Sequence, residues 1–78
     1  MPRYYFHLID SADVTRDDVG QELPDVDAAK ATALKTLLEI ARDEKTSVPF
    51  ALIMSVRNEE DHPVLSLTLA ASAENDTR

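Results

Sequence analysis

Residues 3–9, "RYYFHLI", hold three of the chain's four aromatic side chains and one of its two histidines, and their parity decides the fold. Side chains alternate across a strand, so Tyr4, Phe6 and Leu8 face one way and Tyr5, His7 and Ile9 the other. The even-numbered set has counterparts downstream. In residues 48–57, "VPFALIMSVR", Phe50, Leu52, Met54 and Val56 share a face opposite Ala51, Ile53, Ser55 and Arg57. In residues 64–70, "VLSLTLA", Leu65, Leu67 and Leu69 alternate with an outward set of Val64, Ser66 and Thr68. The polar run "NEEDHP" between these two segments reads as a hairpin connection. Tyr4, Phe6 and Leu8 then join the inward sets, and the odd-numbered residues lie on the far side beside Ala51, Ile53 and Val64.

Residues 26–45 supply what covers the inward face. Val26, Ala29, Ala33, Leu37 and Ile40/Ala41 recur at helical spacing, and Leu34 and Leu38 widen the stripe. Asp25 is placed to cap the N-terminus, with Asp27 in the first turn and Arg42 and Lys45 in the last, all suited to the helix dipole. A short strand is expected over Asp13–Arg16. Gly20, the only glycine, follows two aspartates and marks a turn or bulge with positive φ. Each of the four prolines stands where the pattern changes: Pro2 before the first run, Pro24 before the helix, Pro49 and Pro63 at the last two strands.

The expected fold is α+β: a ββαββ chain with a four-stranded antiparallel sheet and one helix packed on one face. Numbered in chain order, the strands stack 2-1-3-4, with the two most apolar in the centre and a right-handed crossover through the helix. Residues 1–72 form one domain, and residues 73–78 a disordered tail with nothing to bury.

With 78 residues the chain is near the lower limit for an independent core, and without cysteine it has no disulfide to reinforce it. Small chains often complete their core by oligomerising, so a homodimer is expected. The net charge is −7, of which residues 10–27 hold −6. Such a chain repels phosphate backbones, and no nucleic-acid partner is expected. No run approaches the ~20 apolar residues of a membrane span, and no signal peptide is visible. A cytoplasmic location is the expectation.

The chemistry-bearing residues do not assemble into an active centre on paper. Two distant histidines, His7 and His62, do not make a zinc site. The acidic stretch fails the calcium-loop pattern: counted from Asp13, the glycine position holds Asp18 and the final glutamate position holds Pro24. There is no nucleophile elbow and no glycine-rich phosphate cradle. The pairs Asp17–Asp18 and Glu59–Glu60 are adjacent loop residues rather than facing carboxylates. No catalytic residue, no cofactor and no metal is expected, and the chain does not read as an enzyme. The partly apolar far face, with Tyr5, His7, Ile9 and Ile53, reads instead as a self-association surface. His7 there would make association pH-dependent. Asp10, Asp13, Asp17, Asp18 and Glu22 form an acidic patch suited to a basic protein partner.

The opening "MPRYYFHLID" with "DDVGQELPD" and "AAKATAL" resembles a family of small bacterial proteins of unknown function. Its members begin M-P-R-Y-[FY]-F-H and continue through D-x-x-G-x-E-L-P-D to an alanine-rich helix. The matching positions are Tyr4, Phe6, His7, Asp17, Gly20, Glu22, Leu23, Pro24 and Asp25. The resemblance implies a compact α+β domain and no assigned activity. The chain departs from the family at "NEEDHP", where members often have a D-E-x-G turn. More distantly, "LPDVDAAKATAL" is similar to the HicB-type antitoxins, in which a sheet and one helix bind a small toxin. The expectation is therefore a small acidic interaction module, self-associating first, and otherwise masking a basic partner.

Overall fold

The computed structural model describes residues 1–11, 13–44 and 47–76. The chain runs β1 (Arg3–Asp10), β2 (Asp13–Thr15), β3 (Gln21–Glu22), α1 (Val26–Glu44), β4 (Phe50–Arg57) and β5 (Pro63–Ala71). All pairings are antiparallel, and the strands lie in the order β2-β1-β4-β5 with β3 also on β1. The fold is α+β as expected, but with five strands and a βββαββ order rather than four and ββαββ. The expected third and fourth strands are β4 and β5. The extra strand is β3, which has two residues and no apolar alternation to announce it.

β2 and β3 are two pieces of one interrupted edge. Leu8 faces Thr15 and Tyr4 faces Gln21, so four steps along β1 correspond to six along its partner. The two surplus residues are taken up by Arg16–Gly20, which ends β2 one residue earlier than expected. Leu23 N–H donates to Pro2 C=O at 3.0 Å, extending the β3 pairing by one bond.

The parity of β1 holds. Tyr4 is buried, with Phe6 and Leu8 packed against the core, and the core itself is Ala29, Ala33, Leu37, Leu52, Met54 and Val56. The helix lies over β4 and β5, and Ala29 and Ala33, both fully buried, let its backbone approach the sheet closely. Asp25 caps it: Ala28 N–H donates to Asp25 Oδ1 at 2.9 Å. Asp27 and Arg42 stand in its first and last turns; Lys45 lies outside the described residues. Leu34 and Leu38 do not widen the buried stripe; they are 46% and 50% exposed. Pro49 precedes β4 by one residue, whereas Pro63 is the first residue of β5.

Val64 departs from its expected place. A register shift at Val56/Arg57 pairs Val56 with Leu65 and Arg57 with Pro63, leaving Val64 as the extra residue of a bulge. It lines a depression with Tyr4 and Val26, at the helix side, rather than joining the far face. In the "NEEDHP" connection, Asn58 Oδ1 accepts from the backbone N–H groups of Glu60 and His62, both at 3.0 Å. Asp61 takes the left-handed conformation (φ 62) that a glycine would otherwise fill. Arg57 holds it there, with Nη1 3.0 Å from the Asp61 carbonyl oxygen and 3.5 Å from Oδ1. Beyond β5, residues 72–76 have no regular structure, and Thr77 and Arg78 lie outside the described residues.

Candidate functional site

The interrupted edge determines what becomes of the far face. Opposite Phe6, where a continuous strand would have offered a carbonyl, stands the side chain of Asp17. The Phe6 N–H donates to Asp17 Oδ2 at 3.1 Å, while Oδ1 accepts from Val19 N–H and Gly20 N–H, both at 3.0 Å. One carboxylate thus replaces a missing ladder bond and folds the loop back on itself. Burial pushes the Asp17 carboxyl up, but the N–H donors of Gly20, Phe6 and Val19, with His7 nearby, outweigh it. The net position is below the ordinary carboxylate value.

The loop is tied down from the other direction as well. The Asp17 N–H donates to His7 Nδ1 at 2.9 Å, an acceptor role open only to a ring nitrogen without its proton. His7 is 7% exposed although it lies on the face away from the helix, because Asp17 and its neighbours cover it. Gly20 closes the turn at φ +73, with its Cα so near the strand that a Cβ would lie 2.8 Å from the Tyr4 carbonyl oxygen and 2.9 Å from Tyr5 Cε2. Arg3 completes the enclosure, donating to Val19 C=O at 2.8 Å and pairing with Glu22 at 3.3 Å. His7, Asp17, Gly20 and Glu22, separated in sequence, therefore form one structural unit.

The residues expected at an interface are distributed as follows. Tyr5, Ile9 and Ile53 are half-buried on the open face, with Ile9 directly opposite Ile53 and His7 opposite Ser55. His7 itself is sealed. Of the acidic patch, Asp13, Asp18 and Glu22 are exposed and Asp10 is half-buried, whereas Asp17 is spent on the loop. Two depressions adjoin His7, one of about 200 Å³ bordered by Tyr5, Asp18 and Asn58, the other of about 100 Å³ bordered by Val14, Ser55 and Arg57. Both fall short of the roughly 300–1,000 Å³ usual for small-molecule sites. Among the described residues no group of three or more His, Asp or Glu is placed to hold a metal ion. No helix there is long and apolar enough to cross a membrane.

A second surface was missed by reading faces alone. β5 is the outermost strand, and no strand pairs with its outer side among the described residues. Residues 64–73 contain no charged side chain and no proline. Sheet edges are commonly protected by charge, proline, bulges or brevity. Apart from Pro63 and the bulge at its start, β5 has none of these. The signal was present in the sequence as ten residues, 64–73, without a gatekeeper.

A sheet with one helix, one edge interrupted by the Asp17 loop and one edge formed by the long β5 defines a small α+β domain. The chain belongs to the family described as DUF6894, a domain of unknown function, whose model matches residues 3–70. Neither the curated proteins nor the solved structures compared with the chain contain a match.

Proposed function

We propose that this domain is a protein-interaction module that associates with a second copy of itself. The observation that carries the reading is the β5 edge: nine residues long, uncharged and, among the described residues, unpaired on its outer side, in a chain of net charge −7. Like charge on the rest of the surface disfavours contact between copies elsewhere, whereas the β5 edge adds no charge of its own. Main-chain donors and acceptors exposed along such an edge are satisfied most simply by another strand. The open face around Tyr5, Ile9 and Ile53 is the lesser candidate, since the Asp17 loop covers its centre.

The alternative is a masking role toward a basic protein, as in HicB-type antitoxins, through the exposed Asp13, Asp18 and Glu22. That surface is reduced by the commitment of Asp17 to the loop and by the pairing of Glu22 with Arg3. Light-scattering mass across a concentration series tests the proposal. Twice the 8.7 kDa chain mass is expected. A monomer at every concentration, with salt-sensitive capture of a basic protein, would overturn it in favour of masking.

A further inference from the structure

We infer that two copies join β5 to β5 in an antiparallel pair centred on Leu67, making one continuous sheet with both helices on the same side. The inference rests on the self-association just proposed and specifies its geometry. Across a two-fold axis at Leu67, Leu65 faces Leu69, Ser66 faces Thr68 and Leu67 faces itself. Residues directly opposite in an antiparallel pair point to the same side of the sheet. The three half-buried leucines of each copy would therefore continue the apolar face beneath the helix. The exposed Ser66 and Thr68 would pair hydroxyl with hydroxyl on the other side. Moving the centre one residue either way breaks this match. Centring on Ser66 sets Leu69 against Pro63, and centring on Thr68 sets Leu65 against Ala71.

The helix supplies a second, independent observation. Leu34 and Leu38 each follow a fully buried residue, Ala33 and Leu37, so both lie on one flank of the buried stripe. The opposite flank carries the half-buried Ala28, Thr32 and Thr36. With the right-handed crossover general for β–α–β connections, the winding of α1 turns Leu34 and Leu38 toward the β5 side. Two copies joined at β5 would bring these flanks toward each other. Leucines 46% and 50% exposed in the single chain would then have an apolar neighbour.

The absence of cysteine makes the register directly testable. A Ser66→Cys/Thr68→Cys variant places each new thiol opposite its partner in the second copy, and mild oxidation should convert most of it to a covalent dimer. A control, Ser66→Cys/Ala70→Cys, sets the thiols out of step and should cross-link far less. Equal cross-linking of both variants, or none, with the wild type still dimeric by light scattering, would overturn the register while leaving self-association standing. A monomeric wild type would overturn both. Leu34→Ser/Leu38→Ser should weaken the dimer at least tenfold with the chain still folded by circular dichroism. An unchanged dimer constant would remove the helices from the interface.

Discussion

At one margin of the sheet, Asp13–Thr15 and Gln21–Glu22 pair with β1 in two fragments, separated by a loop bearing Arg16, Asp17 and Asp18. At the other, Pro63–Ala71 runs for nine residues with its outer groups unpaired by any described strand. The first margin has three of the usual protections at once: brevity, charge and an irregularity. The second has only a proline and a bulge at its start. The contrast shows that protection against strand addition is applied selectively in this molecule. A side chain, Asp17, occupies the one N–H at the middle of the closed margin that a foreign strand would need.

The largest test of this contrast is Gly20→Ala. A methyl group there meets the Tyr4 carbonyl oxygen and the Tyr5 ring, in a backbone conformation that already disfavours side chains. The combined strain and crowding should cost about 3 kcal/mol in denaturant unfolding. A loss below about 1 kcal/mol would mean the closed margin does not depend on that turn. Asp17→Ala should follow at about 2 kcal/mol, since it strips the acceptor from three backbone donors. Asp17→Asn should lose less, because its remaining oxygen can still serve Val19 and Gly20. Equal losses for the two variants would contradict the division of roles between Oδ1 and Oδ2.

Acid should open the same margin by a smaller step. The Asp17 carboxyl titrates below its ordinary value in the folded chain, so its stabilisation is present above that ordinary value. It is lost as pH falls from there through the folded value. Protection of the Phe6, Val19 and Gly20 amides, taken relative to intrinsic exchange at each pH, should fall over that window in the wild type and change little in Asp17→Asn. Identical profiles would assign the acid response to other carboxylates. The smallest effect on stability belongs to the opposite margin. Ser66→Lys with Thr68→Lys, both exposed, should move unfolding of the dilute monomer by no more than about 0.5 kcal/mol. The same pair should convert a dimer into a monomer by light scattering. A dimer that persists would place the contact elsewhere.

The parity of β1, the helix and its Asp25 cap, and the antiparallel sheet were legible because each rests on a repeating or capping pattern within a short window. β3 was not, since two polar residues carry no period and pair only because Gly20 returns the chain to β1. The burial of His7 was also hidden: alternation correctly put it on the face away from the helix, but its cover comes from Asp17, ten residues away. The acidic patch was read from composition, which counts charges without showing that one of them is engaged with backbone donors. Leu34 and Leu38 were read as core because they are apolar and near the stripe. They lie to one side of the Ala29, Ala33 and Leu37 line that meets the sheet, and stay about half exposed.

The six-against-four spacing between β1 and its interrupted partner has an architectural consequence. Excising Asp18 and Val19 would equalise the two lengths and allow residues 13–22 to zip along β1 without a gap. A subunit receptive on only one flank stops growing once it has a mate. On the proposed β5 pairing, a second such flank would let the domain concatenate into ribbons, and those two surplus residues would separate a finite assembly from an endless one.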